Sequence, residues 1–530
     1  MPTPPPLPKQ NKQFTLAPWL IGAALVVTAI TTAACVWLLT RPADFGPAEA
    51  VLRDAGVPTT TDDWIATLPA VPEDQNAAGP FLDAMAALPK EDESETFELL
   101  ASLNEFPPMN AIRSVGEVDE AALIAALDAE IGRTEPEAAG PMERLKELLE
   151  TGERPAMNRS LDSIVASVDD FDAPFCATLV RLVAMEQRDT LELLAGTESL
   201  RYPMLADFGV DYANHDGPLI GVLLPHLGPS RRLSKLLRAD ALASAADGDF
   251  GAAITRVHQM TSLAEANASA GQTLVELLVA IGLQRQASET LREILRHLPG
   301  DASDEVRAQL QSLADRLANE EVLWQSYERA YTTEAVLGLD SCRYLDSGEG
   351  DVEADMGINF NTRNLGTDAR LLTEMYVEMF AAARKPDAVV AEQAITPDMV
   401  WEARSEKAGA QVALVLQSRR DGVLRSVYQS LADRRALRVL VALKLHGFDH
   451  DDKLPETLDA LVPSYLDAVP IDPTRSGGKP IAYDPARGII WTAGENRTDD
   501  GGTSVEELLL EQPDESEFRL KQQADEVYSL

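Results

Sequence analysis

Apolar residues fall into three patterns along this chain. The first is one unbroken run from Trp19 to Leu39, uncharged throughout and close to the ~20 residues a helix needs to cross bilayer hydrocarbon. Trp19 and Trp37 stand near its two ends, where indole rings favour the membrane interface. The run therefore predicts a transmembrane helix over residues 19–40, preceded by a Pro-rich tail at 1–18. It is longer than the apolar part of a cleaved leader, so the helix is expected to stay as an anchor. The second pattern is a set of stripes at helical spacing. Leu123, Leu127 and Ile131 recur every four residues, and Gly132 follows as a stop. Residues 141–151 open on Pro141 and end before Gly152, as a short helix should. Leu233, Leu236, Leu237 and Leu242 form a stripe that Asp247-Gly248-Asp249 interrupts and Ala253, Val257 and Met260 resume. Further stripes run from Leu274 to Ile281, from Leu291 to Leu298 and from Val306 to Leu317. Helices are also expected over 367–384 and 397–445. The third pattern is short and β-prone: Ile481–Tyr483 and Ile489–Thr492, separated by a Gly-containing turn, predict a hairpin.

These patterns divide the chain into the tail, the anchor, a Pro-punctuated stalk or irregular region at 41–110 with short helical pieces between the prolines, a helical body at 111–434, a small C-terminal module at 435–512 and an acidic tail at 513–530. The expected class is mainly α with an α+β end. Within the body, Gly248 in the turn and Ala253 at the close approach resemble one helical hairpin of the tetratricopeptide type, with no 34-residue repeat around it.

The module has a distinctive order. Leu454-Pro455-Glu456-Thr457-Leu458 is followed by Asp472-Pro473, then by Pro480-Ile481-Ala482-Tyr483, then by Thr492-Ala493-Gly494-Glu495-Asn496 and the acidic, Gly-rich Asp499-Asp500-Gly501-Gly502. This order resembles the C-terminal half of the type II secretion major pseudopilin, and it recurs at the ends of large bacterial membrane-anchored proteins, which this chain resembles. The family has Pro-Leu where Leu454-Pro455 stands, an aromatic where Thr474 stands, and Ser and Asp where Thr492 and Asn496 stand. In that family the closing loop binds calcium. The resemblance implies a calcium site here made by Asn496, Asp499 and Asp500, with Glu495 nearby. Phe14-Thr15-Leu16 is similar to a prepilin start, but Gln13 and Pro18 replace the Gly and Glu that processing needs. With some four hundred residues between anchor and module, a pilus subunit is not expected.

Charge narrows the partners. The chain carries 46 basic and 86 acidic residues, a formal net charge of −40, which repels nucleic-acid backbones. Lys9 and Lys12 precede the anchor with no acidic residue beside them, which predicts a cytoplasmic N-terminus and an extracytoplasmic (periplasmic) body. Cys176 and Cys342 are either a disulfide pair or two buried thiols. His446 and His450 have the i, i+4 spacing of two metal ligands, but Gly447 is expected to end the helix between them. His215 and His226 flank a Gly/Pro-rich segment without a nucleophile elbow. Two functions remain: a non-enzymatic, membrane-anchored envelope protein that scaffolds or binds partners, and an extracytoplasmic hydrolase with a site assembled from distant residues, first sought near His215 and His226.

Overall fold

A computed structural model describes residues 43–530 except 91–93, 104, 117, 134–139, 152–172, 216–218, 349–363, 417–419, 513–518, 521–522 and 530. The tail and Trp19–Leu39 lie outside the described residues, as does most of the Gly/Asp-rich segment after Ser347. Among the described residues no helix is long and apolar enough to cross a membrane.

The described chain is mainly helical, and the stripes become the buried faces of its helices. Leu227–Ala246 and Phe250–Ala270 form the expected hairpin. Gly248 turns the chain at φ +88°, and the Asp249 side chain accepts the Ala252 N–H to start the second helix. Thr273 and Glu276 then make a capping box that opens Leu274–His297, burying Leu277, Leu283, Leu291 and Ile294. These three helices and Asp304–Leu317 surround one apolar core.

A second core forms where Glu321–Ser347 crosses Leu365–Ala382, around Tyr327, Tyr331, Leu372 and Met379. Gly338 permits the close approach: a Cβ there would lie 3.3 Å from that of Leu372. The region expected over 397–445 is three helices, Asp398–Ala408, Gln411–Leu416 and Arg420–Asp449.

The described residues of 43–110, expected to be a stalk or irregular region, pack into both cores. Ala48, Leu52 and Trp64 enter the second, while Phe81, Phe97, Leu100 and Met109 enter the first. The prolines shorten the helices here without abolishing them. Pro47 and Pro80 occupy first-turn positions, where no intrahelical N–H is lost, so each short helix still presents an apolar side.

The predicted hairpin is present as β1 (Ala482–Asp484) and β2 (Ile489–Thr492), paired antiparallel with Tyr483 opposite Ile490. A third strand joins it from the stretch expected to be only an acidic tail: β3 (Glu526–Ser529) pairs with β2, placing Tyr528 opposite Ile490. The 435 boundary falls inside the Arg420–Asp449 helix, which packs on both β2 and β3 and so joins body to module. Asp472, fully buried, fixes the module from within. Its carboxylate accepts the Thr474 N–H at 2.9 Å, the Thr474 hydroxyl at 2.5 Å and the Ala493 N–H at 2.9 Å.

Candidate functional site

The joint between body and module encloses a cavity of about 190 Å³. Two helices supply its walls with polar stripes. Ile281, Arg285 and Arg292 lie along one face of Leu274–His297, and Ser426, Gln429, Ser430 and Asp433 along one face of Arg420–Asp449. The sheet supplies Thr492, Glu526 and Tyr528, and the adjoining loops add Glu495, Val505 and Asp525.

Its charged groups hold one another. Arg292 donates from Nη1 to Glu526 Oε1 at 3.1 Å, and its guanidinium lies 5.0 Å over the Tyr528 ring. The Tyr528 hydroxyl donates to Asp433 Oδ1 at 3.2 Å. Burial pushes the Asp433 carboxyl above the usual range, against the opposing pull of Arg292. Burial also pushes the Tyr528 phenol well up, so it stays a neutral donor. Asp525 accepts the Asp500 N–H at 3.2 Å on one oxygen and the Gly502 N–H at 2.8 Å on the other. Burial is the first cause that raises its pKa too. Arg285 donates from Nε to Glu289 Oε1 at 3.1 Å.

Of the residues singled out for calcium, only Glu495 lines this cavity. Asp499 accepts the Trp491 indole N–H and an Arg475 guanidinium N–H, both at 2.8 Å, and the Trp491 bond leads in holding its carboxyl below the usual range. Asn496 donates to Asp500 Oδ2 at 2.6 Å. The side chains of Asn496, Asp499 and Asp500 are thus engaged by protein donors and acceptors. Among the described residues no three His, Cys, Asp or Glu side chains gather as metal ligands.

His446 and His450 do meet, contrary to the break expected at Gly447. The helix continues to Asp449, and the two rings stack at 3.9 Å between centroids. Their Nδ1 atoms lie 3.2 Å from the Lys453 carbonyl and 2.8 Å from the His446 carbonyl, respectively.

His226 is closed from solvent. It stacks on Phe208 at 4.7 Å, and its Nε2 lies 3.7 Å from Glu276 Oε1. Burial pulls the imidazole down to about 4 and pushes the Glu276 carboxyl up, so the imidazole is neutral near pH 7 and the contact is no ion pair there. Glu276 also accepts the backbone N–H groups of Gln272 and Thr273, both at 2.8 Å, which gives it a helix-capping role. Cys176 and Cys342 lie in different cores, so no disulfide joins them.

Arg285, Arg292, Asp433 and Tyr528 were not singled out from the sequence. The available signal was polar residues recurring at i, i+4 and i+7 on two long helices, a pattern that equally describes a solvated face. No family model, curated protein or solved structure matches the chain.

Proposed function

We propose that this chain is a membrane-anchored envelope protein that binds rather than catalyses, its helical body and C-terminal module together forming the binding site. The anchor is Trp19–Leu39, with the N-terminus in the cytoplasm and the body outside, and the module is pseudopilin-like in sequence order. The observation that carries the reading is the cavity at the joint, with its charged groups engaged within the protein. Such an arrangement holds a shape and presents hydroxyl and amide groups to an occupant. A pair of carboxyls with raised pKa in one cleft, Asp433 and Asp525, supports the hydrolase as a second reading. It is the weaker, because each already accepts protein hydrogen bonds.

The test uses the full-length chain in native membranes with a photoreactive group at position 429, in the cavity, or at position 193, exposed elsewhere. A reproducible adduct from 429 alone supports binding at the joint. Equal labelling from both positions, or none from 429, removes it.

A further inference from the structure

The helix Arg420–Asp449 ends in a turn that two imidazoles brace. His446 and His450 stack with ring centroids 3.9 Å apart and planes 7° from parallel. Each is tied down through Nδ1, His446 to the Lys453 carbonyl at 3.2 Å and His450 to the His446 carbonyl at 2.8 Å. A carbonyl only accepts, so each neutral ring carries its proton on Nδ1 and keeps a lone pair on Nε2. The backbone closes the same loop. The Asp452 N–H donates to the Gly447 carbonyl at 2.9 Å and the Lys453 N–H to the His450 carbonyl at 3.1 Å. Asp451 and Asp452 stand in the left-handed region here, at φ +54° and +59°, which an L-residue holds only at a cost. The stack therefore shuts the turn by which the chain leaves the helix for the module.

As pH falls, each Nε2 is where a proton adds. One proton leaves an imidazolium stacked on an imidazole; two place like charges on rings 3.9 Å apart. The surrounding charges do not cancel that repulsion. Asp449, on the same helix, favours the charged His446, but it already pairs with Arg307 of helix Asp304–Leu317 at 2.9 Å. It also accepts the Tyr465 hydroxyl at 2.7 Å. Lys444 lies one turn back and Asp451, Asp452 and Lys453 follow on the turn, so both signs are present around the pair. Among the described residues neither ring is ion-paired. Burial, and after it the neighbouring His450, hold the His446 imidazole below its ordinary value.

We propose that the His446–His450 stack is an acid-operated latch: it holds one proton, and a second swings the His450 ring out to water and frees the turn leading to the module. His450 is the ring that moves, because it is exposed while His446 is buried and packed edge-on by Tyr465 at 5.7 Å. The open turn takes the second proton more readily than the stacked one, so falling pH favours opening and rising pH restores the stack. A shared metal ion does not suit the same pair. Nearly parallel rings aim their Nε2 lone pairs along separate planes rather than at one point.

The test uses the full-length chain in detergent with isotope-labelled histidine, titrated from about pH 8 to 4. The two ring resonances, assigned with His446→Phe and His450→Phe, should titrate in steps ~1 pH unit or more apart. Hydrogen exchange at the Lys453 amide, corrected for the intrinsic effect of pH, should rise ~10-fold or more across the second step. His450→Phe keeps a ring in the stack but takes no proton. Exchange at Lys453 should then stay flat, and His446 should titrate in one step. Two histidines that titrate together, or a Lys453 amide that ignores the second step, overturns the latch. An equal rise of exchange in His450→Phe overturns it too, because opening would then owe nothing to the second charge.

Discussion

The Tyr528 hydroxyl donates to Asp433 across 3.2 Å, tying the last strand of the chain to the middle of its longest described helix. The bond brings together residues 95 apart in sequence and closes one side of the joint cavity. Tyr528→Phe removes the only hydroxyl on that ring and leaves a buried carboxyl one donor short. A loss of about 1–3 kcal/mol is expected. Urea unfolding of the two proteins should show a lower midpoint for the variant, and an unchanged midpoint would mean that the Arg292 charge and Ser288 suffice for Asp433.

Asp472 makes a similar point inside the module. All three groups it accepts from are donors, so Asp472→Asn turns one acceptor oxygen into an NH₂ facing an N–H or O–H. The expected cost is about 1–3 kcal/mol, read from the same unfolding curves. A smaller change would mean that the module relaxes around the amide.

Gly248 sits at φ +88° between the helices Leu227–Ala246 and Phe250–Ala270, with nothing within 4 Å of the place a Cβ would take. Space is not the obstacle to Gly248→Ala; backbone conformation is. The left-handed region costs an L-residue about 1–2 kcal/mol, and a fall of that size in thermal stability is expected. A rise would mean that the turn had moved to a right-handed conformation.

His226 gives the protein a defined acid sensitivity. Its folded pKa, about 4, lies below the ordinary value of ~6.5, so the unfolded chain binds the extra proton first. Stability from this group is full above pH ~6.5 and falls as pH drops towards 4, by on the order of 2–3 kcal/mol. Glu334, pushed up to about 7 by burial, slopes the opposite way between pH ~4.3 and 7, so only a comparison of variants isolates the histidine. Neither His226 ring nitrogen makes a hydrogen bond, and the ring already stacks on Phe208. His226→Phe should therefore cost little at pH 7 and lessen the loss between pH 6.5 and 4, while His258, also pulled down to about 4 by burial, keeps its own share. Denaturant midpoints at the two ends of that window decide it: an acid loss as steep as in the parent would assign the sensitivity elsewhere.

Calcium bears on the acidic loop. Because Asp499 is held by Trp491 and Arg475, and Asp500 by Asn496, a cation would have to displace protein contacts to bind. The melting temperature is expected to stay the same with added calcium and with chelator. A calcium-dependent rise would show that Glu495, Asn496, Asp499 and Asp500 rearrange into a site.

Much of this architecture follows from short stretches of sequence read alone. The Asp247-Gly248-Asp249 turn, the helices on either side of it and the hairpin of Ala482–Asp484 with Ile489–Thr492 depend on side-chain period and turn chemistry within a few residues. The same locality left the burial of residues 43–110 unread, where frequent prolines suggested a stalk or irregular region with short helical pieces. Whether Ala48 or Trp64 is buried depends on the helices Glu321–Ser347 and Leu365–Ala382, far along the chain, and Phe97 on Ala173–Glu186 and Leu227–Ala246. The site was less legible still. Arg285, Gln429 and Asp433 look like ordinary polar positions on amphipathic helices, and Glu526 and Tyr528 lie in what reads as an acidic tail.

What the sequence determined by itself was the helical stripes on either side of Asp247-Gly248-Asp249, those from Leu274 to Leu317 and the hairpin, because each is decided by neighbours along the chain. Only the tertiary structure decided that two polar helix faces and the final strand would meet around one cavity. Pairing β3 with β2 and burying Asp433 beneath Tyr528 join groups that no local pattern relates, and their stability comes from contacts that exist only once the chain has folded.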